Sequence, residues 1–389
     1  MPRRLLLNVI LLWLIGNALR IPILAVPPVI PRIHTDLDIS ATAVGVLGGL
    51  PVVLLATAAL PGSLVIARLG PVRAVVAGLL IAALAGGLRG AIPNVAWLYV
   101  MTIAMAAGIA VAQPAMPALV RSWTPERIAF ATAAYTNGFL TGGTLAVMLT
   151  LPVVLPLTHD SWQRALAVWS LPVFAIAVLV VFSSPPDTKS SGPARPRWWP
   201  DWKDGLIWRL GLTFGSVNAM YFGSNTFLPD YLTVHGRPDL ISAALTALNF
   251  GQLPASFLLL GMASRLELRV WPFLAFGLTC VVSIIGIVVT ASAWTVVWAA
   301  VLGFAAAGLF VLVLALPPLL RPAADVARIS AAMMTVSYTL AMITAVASGA
   351  AWDLTGIPAA AFGPIAACAL LLLFVPATIS FERSAGVDR

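Results

Sequence analysis

The chain has 389 residues, of which 60% are hydrophobic and only 9% charged, with a mean hydropathy of +0.99. A soluble domain carries about 25% charged residues, so a soluble enzyme and a disordered chain are both excluded, and a multi-pass membrane protein is left. The formal charge of +8 invites a nucleic-acid reading, but the placement of the charges gives it a different meaning.

The chain opens Met1-Pro2-Arg3-Arg4, and an apolar run follows from Leu5 to about residue 30. The run is too long for the core of a signal peptide and no small-residue cleavage site follows it, so it reads as a retained first membrane helix. Further runs fall at about 41–66, 72–90, 95–120, 128–155 and 164–183. They are continuous rather than alternating, which points to helices and not to barrel strands. Residues 184–205 combine Pro, Ser and charge and read as a cytoplasmic linker, with Trp198, Trp199, Trp202 and Trp208 seating its end at the bilayer interface. Six more runs follow at about 206–234, 240–262, 271–291, 294–319, 327–351 and 358–381. The expected protein is all-α, with 12 transmembrane helices in a six-helix half over 1–183 and another over 206–389.

Sidedness follows from the Lys and Arg positions. With both termini cytoplasmic, 17 of the 22 basic residues lie on inner segments, while Arg32, Arg89, Arg164 and Arg237 lie outside and Arg20 lies within a span. The opposite orientation would put the excess outside, so the N-in/C-in arrangement is expected, in the inner (plasma) membrane. The net charge then faces anionic lipid on the cytoplasmic side, and no nucleic-acid partner is implied.

Repeats set the architecture. Residues 106–121 (AAGIAVAQPAMPALVR) and 306–321 (AAGLFVLVLALPPLLR) match at eight of 16 positions, with Gly108/Gly308, Pro117/Pro317 and Arg121/Arg321 in one register. Tyr135-Thr136 is echoed by Tyr338-Thr339, and Leu50-Pro51 by Leu253-Pro254. An even number of spans separates the copies, so the halves are parallel repeats, an arrangement used by secondary transporters.

With six plus six helices and a basic central loop, the chain resembles the major facilitator superfamily over nearly its whole length. The superfamily's loop signature is degenerate at Gly62 to Gly70, with Ala67 where an Asp is usual. On the fifth helix only Gly138, Gly142 and Gly143 remain of the antiporter pattern. Narrower segments are similar to the cyanate permease and 2-nitroimidazole transporter subfamily. These are Leu19-Arg20 with Pro28 and Pro31, Gln113-Pro114-Ala115-Met116-Pro117, Ser161-Trp162-Gln163, Trp208 to Gly215 with Asn218 and Tyr221, and Gly251-Gln252.

Arg20 is the sharpest candidate for substrate contact. A charge within a span costs about 2.5–3.5 kcal/mol and faces a cavity or a partner, and its planar donor fork suits carboxylate, cyanate or nitro oxygens. A salt bridge to Asp230 at the outer end of the seventh helix is the competing reading. Asn218, Tyr221 and Asn225 fall at i, i+3 and i+7, on one helix face. Asn249 and Gln252 share a face of the next helix, Gln113 stands before two prolines, and Tyr135 and Tyr338 are repeat-related. The expected substrate-binding set is Arg20, Gln113, Tyr135, Asn218, Tyr221, Asn249, Gln252 and Tyr338, between the halves, with Asn17, Asn225 and Asp230 as coupling or gate positions. Interhelical hydrogen bonding is the plain alternative for the amides.

Arg89, at the end of the third run, reads as an interfacial residue of the outer face. Cys280 and Cys368 sit in apolar runs and imply no disulfide, and His34, His159 and His235 have no acidic or thiol companions at metal-ligand spacing. Neither an enzyme motif nor a cofactor motif occurs. The expected function is secondary active transport of a small polar or anionic solute, cyanate-like or nitroimidazole-like, by a monomer. Protons are the candidate coupling ion. A broad drug/proton antiporter is the alternative within transport, and a membrane sensor or scaffold the alternative outside it.

Overall fold

The computed structural model describes residues 3–57, 65–66, 68–185, 201–255, 258, 266, 269–290, 292–321 and 323–379. Parts of the Gly62–Gly70 signature, including Ala67, and both Trp198 and Trp199 therefore lie outside the described residues. Among the described residues the regular structure is entirely helical. The helices are α1 (Arg3–Leu24), α2 (Ile30–Leu37), α3 (Ala41–Thr57), α4 (Pro71–Leu88), α5 (Val95–Ala112), α6 (Met116–Trp123) and α7 (Ile128–Leu149). They continue as α8 (Trp162–Ser183), α9 (Gly205–Val234), α10 (Ile241–Phe250), α11 (Val270–Thr290), α12 (Trp294–Leu320), α13 (Ala323–Thr355) and α14 (Phe362–Phe374). Nine helical segments among the described residues are long and apolar enough to cross a membrane, and α3 is a shorter apolar helix.

The chain folds into two compact units, residues 1–39 with 57–192, and residues 40–56 with 193–389. In the first, α1 lies against α7 and α8, and α4 against α5 and α8. Lipid tails are as apolar as leucine, so dispersion contacts and interhelical hydrogen bonds hold such helices together. Close approach therefore matters, and Gly138 of α7 supplies it: a Cβ there would collide with the Trp13 carbonyl of α1. The first apolar run does not form one helix. Pro27 and Pro28 turn the chain through a short 3-10 segment, and the helix resumes as α2 until Asp38, in the left-handed region at φ 47°, stops it. Trp162 Nε1 donates to Asp36 at 2.8 Å, tying α2 to the start of α8.

In the second unit α9 lies against α12, α13 and α14, while α11 packs on α12 and α14. Every residue of α9 from Thr213 to Leu232 is buried. This helix is absent from the nine apolar segments because Ser, Thr, Asn and Asp interrupt it. A helix too polar to face lipid is one that other helices must sheathe, and that sheathing places the polar groups described next.

Candidate functional site

The spacing of Asn218, Tyr221 and Asn225 puts all three on one face of α9, and that face meets two different neighbours. At Asn218 the neighbour is α13: the side-chain amide donates to Ser337 Oγ at 2.8 Å, one residue before the half-buried Tyr338. At Tyr221 and Asn225 it is α10. The Tyr221 hydroxyl donates to Asn249 Oδ1 at 2.6 Å, and Asn249 Nδ2 donates to Asn225 Oδ1 at 2.9 Å. Asn249 Nδ2 also donates to the Leu245 carbonyl, and Asn225 Nδ2 to the Tyr221 carbonyl, both at 2.8 Å. Tyr221 is 8% exposed, and Asn225 and Asn249 1% each, so all three are desolvated.

The direction of the chain is fixed by its end. A backbone carbonyl only accepts, so Asn225 must turn its NH2 to Tyr221 and its oxygen to Asn249. Asn249 must then present NH2 to Asn225 and its own oxygen to the Tyr221 hydroxyl. Half-buried Gln252 sits at the edge, donating to the Asn249 carbonyl at 3.4 Å. Asp230, five residues beyond Asn225, is 4% exposed and is the one buried acidic side chain among the described residues.

The remaining candidates belong to the first unit. Arg20 is half-buried on α1. Asn17, 4% exposed, donates to the Trp13 carbonyl and accepts from the Thr141 hydroxyl of α7 at 3.1 Å. Trp13 Nε1 donates to Asn137 Oδ1 at 2.9 Å, a second rung between α1 and α7. Half-buried Tyr135, also on α7, meets Phe139 edge to face, with ring centroids 5.4 Å apart. Gln113 is half-buried in the 3-10 turn Gln113–Ala115 joining α5 to α6.

Arg89 corrects the interfacial expectation, being 1% exposed. Its Nε donates to the Gly86 carbonyl at 3.1 Å and its Nη2 to the Pro22 carbonyl at 3.0 Å. It therefore caps the C-terminal ends of α4 and α1 together, where the negative ends of two helix dipoles compensate its charge. The signal for this in the sequence is an Arg immediately after an apolar run, which an interfacial anchor shares. Ser337, Asn137 and Thr141 were also not anticipated, and each is the partner of a polar residue far away in sequence.

Buried amides and hydroxyls at this density bind and orient polar groups, and the buried network brings together no acid–base pair. The profile of the Major Facilitator Superfamily matches residues 10–346, and the chain belongs to that family. It is a membrane transporter and not an enzyme. The cyanate transport protein CynX of Escherichia coli (strain K12) is 26% identical over 360 residues, 89% of this chain and 90% of that protein. The 2-nitroimidazole transporter of the same organism is 26% identical over 242 residues, 60% of each chain. Among solved structures, the xylose transporter XylE from E. coli in its inward open conformation superposes with a TM-score of 0.75 at 11% identity, covering 97% of both chains. A bacterial homolog of the human lysosomal transporter Spinster gives 0.74 at 17% identity, covering 97% of this chain and 96% of that one. These two likenesses establish the fold.

Proposed function

We propose that the protein is a secondary active transporter that moves a small polar or anionic solute across the inner membrane by alternating access. In this reading it has twelve spans and both termini are cytoplasmic. The observation that carries it is the buried chain Tyr221–Asn249–Asn225 on α9 and α10. Such a chain holds a compact polar solute by directed hydrogen bonds, whereas a broad drug pump relies on apolar and acidic surface. Similarity to the cyanate and 2-nitroimidazole transporters supports a solute of that size. Arg20, whose fork suits cyanate or nitro oxygens, supplies the donor-rich contact, and Gln113, Tyr135 and Tyr338 complete the polar set.

The test is counterflow in proteoliposomes loaded with cyanate, a nitroimidazole or a cationic dye. Accumulation of a small solute and exclusion of the dye is the expected result. Dye transport with both small solutes ignored would replace this reading with multidrug efflux.

A further inference from the structure

We infer that Asn137, on α7, contacts the solute: it presents a fixed amide NH2 to an acceptor atom of the solute, and Trp13 is the positioning residue that sets it. The inference rests on the transport reading above and adds to its site a donor outside the expected set.

An isolated asparagine can turn either end of its amide to a neighbour, but Asn137 has no such freedom. An indole N–H only donates, so the 2.9 Å bond from Trp13 Nε1 ends on the amide oxygen and the NH2 points away from it. The two N–H groups of Asn137 have no acceptor among the described residues. The side chain is only half-buried, so they open onto space beside the α1–α7 seam. Asn17 behaves differently. It is closed within the seam, with its NH2 on the Trp13 carbonyl and its oxygen under the Thr141 hydroxyl. The two helices are pressed together at this level, since a Cβ at Gly138 or Gly142 would collide with the backbone of Trp13 or Asn17. The rung that carries Asn137 therefore belongs to a rigid pair.

Trp13 and Asn137 both fall near the middle of 22-residue helices. At that depth hydrocarbon offers no acceptor, and an unpaired amide costs several kcal/mol. A lipid face is built otherwise, as α8 shows: from Ala165 to Phe182 its exposed side chains are all apolar, Leu171 and Phe174 among them. Trp13 and Arg20 stand seven residues apart, two turns along one face of α1, with a rise of about 10 Å between them. The Asn137 amide, held at Trp13, therefore lies on the side of α1 that carries Arg20. Its NH2 is matched by a lone-pair-bearing atom of the solute and opposed by an N–H in the same place.

Two experiments separate solute contact from scaffolding. In the first, Cys280 and Cys368 are replaced by alanine, and Asn137→Cys and Leu171→Cys are treated in proteoliposomes, from both sides, with the charged reagent sulfonatoethyl methanethiosulfonate. Asn137→Cys should react about tenfold faster or more, because a thiol held in hydrocarbon does not ionise. Equal inertness at the two positions would put Asn137 against lipid and overturn the inference, leaving the transport reading intact. The second is counterflow of cyanate or 2-nitroimidazole, whichever the wild type accumulates. Trp13→Phe breaks the rung and leaves the NH2, whereas Asn137→Ala removes both, so any loss of stability from the rung is common to the two. Asn137→Ala should raise KM about tenfold and Trp13→Phe by less. Equal rises would show that Asn137 serves only as the rung for Trp13, which also overturns the inference. Wild-type protein that moves neither solute while Asn137→Cys still reacts would overturn the transport reading and the solute contact with it.

Discussion

The carboxylate of Asp353, near the end of α13, accepts the backbone N–H of Thr42 at 2.8 Å and so caps the first turn of α3. The Thr42 hydroxyl donates to the same oxygen, the other oxygen accepts the Ala41 N–H at 2.9 Å, and Ser40 Oγ takes the Ala43 N–H. Three of the four orphan donors of this helix start are thereby satisfied, two of them by a residue more than 300 positions away. Glycine lets the same helices close up below the cap: a Cβ on Gly45 would strike the Ala345 carbonyl of α13. Asp353→Ala should destabilise the protein by about 1 kcal/mol, and Asp353→Asn, which keeps one acceptor, by less. Thermal unfolding in detergent measures this, and an unchanged midpoint in Asp353→Ala would mean that the cap contributes nothing to holding α3.

Tyr221→Phe removes one oxygen and leaves Asn249 Oδ1 buried without its donor, at a cost of about 1–3 kcal/mol. Tyr221→Phe and Asn249→Ala should each weaken solute affinity. The double variant should be little worse than Asn249→Ala, because both act on one hydrogen bond. Additive losses in counterflow KM would show that the two side chains act separately.

Arg89 is expected to serve stability and not solute contact. Its fork spans the carbonyls of Gly86 and Pro22, whereas a lysine in its place reaches one of them. Arg89→Lys should cost about 1.5–3 kcal/mol, the value of one charged hydrogen bond. Flux per folded molecule should be unchanged. Lost flux at an unaltered melting temperature would move Arg89 into the solute path.

These sites differ in how far the sequence announced them. Asn218, Tyr221 and Asn225 declare themselves because helical spacing is local, and polar groups in an apolar run have only one tolerable direction. Their partners are less visible. Trp13 and Asn137 are 124 residues apart, as are Asn17 and Thr141, and nothing in either local pattern specifies the pairing. Arg89 was misplaced because sidedness rules treat an Arg at a span end as a lipid anchor, while a C-cap between two helices looks identical in one dimension. The break at Pro27 and the restart as α2 escaped for another reason: an apolar count runs on through proline, which ends a helix by geometry and not by polarity.

Arg20 carries the contrasting expectation. It is half-buried on α1, and its proposed work is to grip solute oxygens. Arg20→Lys keeps the charge and loses the planar fork, so flux should fall by about tenfold or more while folded protein is retained. Unchanged kinetics in Arg20→Ala would remove it from the substrate set.

Coupling is the remaining question, and Asp230 frames it. A proton-driven carrier places a titratable carboxylate in the membrane interior, where protonation can change its interactions between one state and the next. Among the described residues Asp230 is the one acidic side chain that is buried, and it lies on α9, the helix that carries Asn218, Tyr221 and Asn225. If protons drive transport through a protein carboxylate, Asp230 is the candidate that the described residues offer. Asp230→Asn keeps the shape and fixes the side chain in an uncharged form. Flux in proteoliposomes should then follow one of two patterns. Either an imposed pH gradient leaves wild-type flux unchanged, which makes the protein a uniporter or an exchanger, or it drives wild-type flux and fails to drive Asp230→Asn. In both cases solute exchange at equal pH should survive the substitution, because exchange needs no net proton movement. Gradient-driven flux that persists in Asp230→Asn would contradict both patterns and move the proton onto the solute itself, whose ring N–H or acid form would carry it across.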